Sequence, residues 1–251
     1  MILAVLNQKG GVGKTTVAFH LAKLSARDRE TLAVDIDPQG NLTSCFIPSL
    51  PEISNITMLW QKADGGEPLS SKLVPAPVAS NLSLIGADLS LSYFEAGATA
   101  QGYFKLRNYL RDHQPAESSW VVIDCPPNLG LFSINAMLTA DYVLIPVDAS
   151  RFTMQGLDSL FASVKEINRD LRMEKPLAIV GIVLSNANVH TTFVRDLRSD
   201  LRNKYGRWVL DTVLPSSVKV REAVGRGEVV SEGAAMAAYL GLYKEILGRL
   251  T

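Results

Sequence analysis

The 251-residue sequence predicts an α/β fold, with a mostly parallel, twisted sheet covered by helices on both faces. Short apolar, β-branched runs recur along the chain with helix-length stretches between them, the alternation that parallel crossovers require. Val121-Val122-Ile123 and Ala178-Ile179-Val180-Gly181-Ile182-Val183-Leu184 are apolar on successive residues, as strands buried on both faces must be. A glycine-rich turn separates the first such run from the first helical stretch.

Strands are expected, in order, at 2–7, 31–37, 82–86, 120–125, 142–147, 178–185 and 208–214. Helical periodicity falls on 14–27, 102–112, 130–139, 153–170, 192–205 and 234–250. The opening run has no basic segment before it and no small-residue cleavage pattern, so it reads as a strand rather than a leader. The stretch 47–80, with Pro48, Pro51, Gly65-Gly66 and Pro75-Ala76-Pro77, is the least regular part and reads as an elaborated crossover. In 192–205, Arg195, Arg198 and Arg202 share one face, with Phe193, Leu197 and Leu201 opposite, toward the core. In 234–250, Leu240, Tyr243, Leu247 and Leu250 form a core-packing stripe. No repeat or linker divides the chain, and residues 1–251 are expected to form a single domain.

Composition narrows the function classes. With 47% hydrophobic and 20% charged residues the chain can bury a large core, which argues against disorder. Its 25 basic and 25 acidic residues cancel, which excludes a wholly basic nucleic-acid coat but not a local patch. Cys45 and Cys125 lie far apart without metal-site spacing, so neither a disulfide framework nor structural zinc is expected, and a reducing cytosol is the natural home. No apolar run reaches the roughly 18 residues of a membrane span.

The segment Gln8-Lys9-Gly10-Gly11-Val12-Gly13-Lys14-Thr15-Thr16 follows the first strand and opens a helix. Its glycines let backbone N–H groups turn inward around an anion, and the helix N-terminus adds a favourable dipole. Lys14 would reach the β- and γ-phosphates of a nucleotide and the Thr15 hydroxyl would bind Mg²⁺. Gln8 stands where the strict GxxxxGK[ST] pattern has its first glycine, and a second lysine, Lys9, precedes the glycines. A cation there is either a solvated surface lysine or one that leans over the phosphates of a facing subunit.

Two carboxylate stations follow. Period two puts Asp35 and Asp37 on the same side of the second strand, where they could hold magnesium waters and orient a nucleophilic water. Alone, they could equally be turn-forming residues before Pro38. Asp124 ends the apolar run at 121–123 in the form of a site that holds Mg²⁺ through water. His20, His113 and His190 are scattered, so no nucleophilic triad competes, and no residue suggests a phosphate-accepting substrate.

Together these motifs resemble the deviant Walker-type ATPases of the ParA/MinD group, P-loop NTPases whose loop reads KGGxGKT[ST]. The resemblance runs from Ile2 to the last helix, with only 47–80 unmatched. It implies ATP and Mg²⁺ as cofactors and Gly10, Gly11, Val12, Gly13, Lys14, Thr15 and Thr16 as nucleotide ligands. It puts Lys9 across an ATP-bound sandwich homodimer onto the partner's nucleotide. The tract Asp35–Asn41 looks like the family's second nucleotide motif, which makes Asp37 the residue that positions the attacking water and Asp35 a support for the metal shell. Thr15 and Asp124 complete that shell. Asn186 and Pro215 lie where related NTPases contact adenine. Asn128 replaces a serine of the family's DCPPSLG, and Asp148 stands where glutamine or glutamate is usual.

Between 190 and 226 eight basic residues face four acidic ones, so the neutral total hides a local excess. Arg195, Arg198 and Arg202 would meet phosphates without reading bases, unless that face is simply solvated. The segment Pro215–Ala223 is similar to the family's PxxVRxSEA, whose basic residues contact nonspecific DNA. That puts Lys219 at the motif's arginine position on double-stranded DNA, with Arg221 and Arg226 adding charge to the DNA surface where members are often neutral or weakly basic, while His190 replaces an arginine common in chromosomal members. The resemblance therefore implies a DNA partition ATPase, cytoplasmic and nucleoid-associated, that a ParB-like adaptor protein releases by stimulating hydrolysis. Longer plasmid-type members carry an N-terminal DNA-binding domain, which this chain is not expected to have. The last helix has only Lys244 and Arg249 as cations, so the membrane anchor of MinD-type members is not expected either. Two rivals stand beside this reading: positioning of a protein cargo by the same machine, and a metabolic P-loop enzyme using ATP for ligation.

Overall fold

A computed structural model describes residues 1–113, 119–150, 153–171, 175–188 and 191–250. Its strands are β1 (Ile2–Val5), β2 (Thr31–Asp35), β3 (Ala76–Ala79), β4 (Leu82–Ile85), β5 (Trp120–Asp124), β6 (Tyr142–Val147), β7 (Ala178–Ala187) and β8 (Val209–Pro215). Its α-helices are α1 (Lys14–Ser25), α2 (Asn41–Phe46), α3 (Lys105–Asp112), α4 (Leu131–Thr139), α5 (Thr153–Asp170), α6 (Thr192–Tyr205), α7 (Val218–Gly225) and α8 (Gly233–Leu250).

The strands join one sheet in the order β3-β4-β2-β5-β1-β6-β7-β8. Only the β3–β4 pair is antiparallel. Such a sheet must be covered on both faces, and β5 shows how its sequence provides for this. Val121 and Ile123 enter one apolar cluster while Trp120 and Val122 enter the other. The first cluster takes Leu106 and Leu110 of α3, Phe132 of α4, Leu157 of α5 and Leu201 of α6. The second takes Val17 and Leu21 of α1, Val220 of α7 and Leu242 and Ile246 of α8.

The order of strands also creates the site. From β1 the chain crosses through α1 to β2 on one side, and from β5 it crosses back through α4 to β6 on the other. The connection after β1 therefore sits where the winding reverses, the crevice in which open α/β sheets hold ligands. Val5 pairs with Asp124 and Asp35 with Asp124, so three strands end level beneath that connection.

Several elements differ from the sequence reading. β1 and β2 stop at Val5 and Asp35, two residues early, because the residues beyond them leave the ladder to build turns. Asp37 lies in such a turn, so strand period does not relate it to Asp35. The irregular stretch contains β3, whose Pro77 is tolerated because the strand is an edge. On α6 the buried stripe is Val194, Leu197, Leu201 and Tyr205; Phe193, expected toward the core, is 45% exposed. The 102–112 helix starts only at Lys105, after a short 3₁₀ turn. At the opposite edge of the sheet, the N–H groups of Asp211 and Thr212 donate to the two oxygens of Glu245 on α8, at 2.7 and 3.0 Å. Among the described residues no helix is long and apolar enough to cross a membrane.

Candidate nucleotide site

The connection after β1 is shaped by glycine and pinned by neighbouring strands. Gly13 caps α1 with φ 85°, a left-handed conformation that glycine adopts without strain. No side chain caps the N-terminus of α1 and no acid stands in its first turn, so its free N–H groups and positive dipole face the loop. Asn7 accepts from the Lys9 N–H at 2.9 Å and donates to Pro146 O at 2.6 Å. The Ser185 hydroxyl of β7 donates to Val12 O. The loop is thus fixed from both β6 and β7.

Its two lysines occupy different surroundings. Lys14 is buried, and its Nζ donates to Lys9 O at 3.0 Å. Burial lowers its pKa, an effect that the nearby Asp124, Cys125 and Asp37 oppose. Lys9 lies at the surface, its Nζ bonded to Asp148 Oδ2 at 2.6 Å and to Ser150 Oγ at 2.9 Å.

The three carboxylates separate by their hydrogen bonds. Asp35 is fully buried and saturated: Oδ2 accepts from the Thr43 N–H and hydroxyl, both at 2.8 Å, and Oδ1 from the Asp37 N–H at 3.1 Å. Burial pushes its carboxyl up to about 7 against the pull of those donors. Asp37 uses one oxygen on the Gln39 N–H at 2.9 Å, while its other oxygen takes no hydrogen bond among the described residues. Asp124 is fully buried, and among the described residues neither of its oxygens accepts a hydrogen bond of ordinary geometry; the Thr15 hydroxyl is the donor beside it. Burial and then the charge of Asp35 hold it well above the usual carboxylate range, with Thr15 and Lys14 opposing.

A buried carboxylate with so few donors is costly. Below an anion-binding loop and beside a threonine hydroxyl, its chemistry fits a hard divalent cation that completes its shell with water and phosphate oxygens. Thr43 was missed by sequence reasoning because it lies eight positions from Asp35; Gly40 holds the only local signal. Gly40 has φ 62°, and a Cβ there would come within 2.6 Å of Ala87 O, so the tight turn into α2 requires glycine.

From the loop a cleft runs along the ends of β7 and β8, lined by Thr16, Asn186, Pro215, Ser217, Arg221 and Tyr239 among others. Asn186 and Pro215, expected at the base, both line it. Asn186 has φ 50°, an unusual conformation for a non-glycine residue and one that favours functional sites. Tyr239 and Ser217 carried no sequence signal.

The six basic residues expected on DNA do not share one face of the sheet. Arg195, Arg198 and Arg202 ride on α6 over the first apolar cluster, while Lys219 and Arg221 ride on α7, with Arg226 just after it, over the second. Arg198 and Arg202 both pair with Asp211, Lys219 with Glu232 at 2.9 Å, and Arg226 with Glu228 at 3.4 Å. Glu228 and Glu232 lie outside the window in which the local charge excess was counted. His190 lies outside the described residues.

Comparison with known proteins agrees with this geometry. The family model described as "AAA domain" matches residues 1–179. The chromosome partitioning protein ParA of Caulobacter vibrioides is 34% identical, over 99% of this chain and 94% of that protein. The chromosome-partitioning ATPase Soj of Thermus thermophilus is 32% identical, over 99% and 96%. The crystal structure of cobyrinic acid a,c-diamide synthase from Mycobacterium smegmatis, with bound ATP analog and magnesium, is 25% identical with a TM-score of 0.78, covering 99% of this chain and 95% of that one. With near-complete coverage by partition ATPases and the two-lysine loop in place, the chain belongs to the ParA/Soj family of deviant Walker-type P-loop NTPases.

Proposed function

We propose that residues 1–251 act as one ATP- and Mg²⁺-dependent partition ATPase, which moves DNA cargo by cycling on and off nonspecific double-stranded DNA. The observation that carries the nucleotide half is the buried, under-satisfied Asp124, beside Thr15 and level with Asp35 beneath a two-lysine phosphate loop. Bound Mg²⁺ would neutralise charge on the β- and γ-phosphates. Thr15 and Asp124 hold it, Asp124 through water. Lys14 exchanges its bond to Lys9 O for phosphate oxygens, and the N-terminus of α1 stabilises the same charge. Asp37 uses its free oxygen to orient the attacking water, and its bond to the Gln39 N–H fixes the direction. Asp35 serves as the anchor of the turn into α2 rather than as a metal ligand, since its oxygens are committed to Thr43 and Asp37.

Lys9 must leave Asp148 and Ser150 before it can cross to a partner's nucleotide, so the two-subunit, ATP-bound form exchanges one ion pair for another. In that form Arg195, Arg198, Arg202, Lys219 and Arg226 present charge to DNA from both faces of the sheet, around β8. A ParB-like adaptor stimulates hydrolysis and release, which gives a cytoplasmic, nucleoid-associated protein a nucleotide-dependent residence on DNA. A salt titration of DNA binding with ATP, with ADP and without nucleotide tests this. Binding should appear with ATP alone and weaken steeply with salt. Equal affinity in all three states would remove the switch. Turnover that instead required a small-molecule acceptor would support the ligase reading.

A further inference from the structure

Resting on the reading of the cleft as the ATP site, we infer that Arg221 is a nucleotide-contacting residue that closes the base end of that cleft. Helix α7 follows Pro215 by three residues and turns Val220 and Ala223 into the core. Its cations then divide by surroundings. Lys219 and Arg226 point to solvent and meet Glu232 and Glu228. Arg221 is exposed as well, but it lines the cleft beside Asn186, Pro215 and Ser217, and among the described residues its guanidinium makes no ion pair or hydrogen bond.

The cleft itself supplies no countercharge. Among the described residues its lining contains hydroxyls, an amide and the Tyr239 ring, but no carboxylate, and it opens on the positive N-terminus of α1. A guanidinium without an acid in a donor-rich cleft is complemented by a ligand that brings an acceptor-rich, planar surface. A nucleotide with its phosphates in the loop places its ribose and base there. The planar, weakly hydrated guanidinium can stack on the base and donate to the ribose, which a lysine cannot do. Arg221 is then a positioning residue for ATP and not part of the DNA surface on which its charge was expected. It also fastens α7 to the nucleotide, so that the helix carrying Lys219 and Arg226 is held when the cleft is filled.

The test is the affinity for a fluorescent N-methylanthraniloyl-ADP, which requires neither a dimer nor hydrolysis. Arg221→Ala should weaken it about tenfold, the scale of a desolvated cation–π contact. Arg221→Lys should recover only part of the loss, because it restores charge without the planar face. Lys244→Ala, an exposed lysine on α8, serves as the surface-charge control and should match wild type. Arg221→Ala should bind double-stranded DNA as wild type does once ATP is saturating. An Arg221→Ala affinity for the ADP probe within twofold of wild type, with the melting temperature unchanged, would overturn the inference. A loss of DNA affinity at saturating ATP with a shallower salt slope would return Arg221 to the DNA surface. Lys14→Ala separates the two levels. If it abolishes probe binding while Arg221→Ala does not, the Arg221 inference alone fails; if Lys14→Ala binds normally, the site reading and the inference fall together.

Discussion

Acidification should destabilise this protein through one buried histidine on the phosphate-loop helix. His20 lies one turn after Thr16 and is fully buried, with its ring stacked on Tyr239 at 3.8 Å between centroids. Nδ1–H donates to Thr16 O at 2.8 Å, and Nε2 accepts from the Val230 N–H at 3.3 Å. That pairing requires the neutral ring, because a proton on Nε2 would face the Val230 N–H. Burial lowers its pKa from 6.5 to about 4, with only the Thr16 carbonyl opposing. The difference corresponds to about 3 kcal/mol when fully expressed. The folded pKa lies below the unfolded one, so the unfolded chain takes up the proton first. Stability is complete above pH 6.5 and falls as the pH drops toward 4, by about 2 kcal/mol at pH 5. Against a typical total of about 5–15 kcal/mol that is a large fraction. Urea unfolding at pH 7.5, 6, 5 and 4.5 would measure it in wild type and in His20→Gln, which keeps polar atoms but does not titrate. Asp35 has its pKa raised and so contributes with the opposite sign; the difference between the two proteins cancels it. The wild type should lose about 2 kcal/mol more than the variant between pH 7.5 and 5. Parallel curves would refute the assignment of this pH dependence to His20.

Asp124→Asn should raise stability in the absence of nucleotide by about 1–3 kcal/mol, because it relieves a buried carboxyl that has only the Thr15 hydroxyl beside it, and should weaken magnesium-dependent ATP binding; calorimetric unfolding and nucleotide titration would show the opposite signs, and a loss on both would point to a structural role. Asp37→Ala should leave ATP binding intact and slow hydrolysis at least a hundredfold, trapping a dimer on DNA; single-turnover rates near wild type would end its catalytic assignment. Asp148→Asn releases Lys9 from an exposed ion pair worth at most about 1 kcal/mol, and a two-fold dimer breaks two such pairs, so ATP-dependent dimerisation in the ultracentrifuge should strengthen by no more than about thirtyfold. A weaker dimer would mean that Asp148 orients Lys9. Replacing Lys219 and Arg226 together by Glu should lower DNA affinity equally across sequences and flatten its salt slope; an unchanged slope would place the DNA surface elsewhere.

Elements buried on both faces were legible in the sequence, since runs such as Val121-Val122-Ile123 have no other economical reading. β3 was not, because a four-residue edge strand with Pro77 carries neither a long apolar run nor alternation. Helices α2 and α7 are too short for periodicity to appear, and each depends on a preceding turn. Within the site, glycine spacing located the phosphate loop because backbone conformation is local. The roles of Asp35 and Asp37 were not separable, because the donors that saturate Asp35 include Thr43, brought beside it only when Gly40 turns the chain. Charge counted along a window likewise missed Glu228 and Glu232, whose pairing with Arg226 and Lys219 depends on the path from α7 to α8.

Glu245 bears on how two copies can meet. A sheet ending in a bare strand invites a second sheet to continue it, and the proposed cycle between one and two subunits would be exposed to that error. Here the outward N–H groups of Asp211 and Thr212 are already occupied by the Glu245 carboxylate. Strand-by-strand polymerisation through β8 is thereby discouraged, which leaves the loop-bearing end of the sheet as the natural meeting ground.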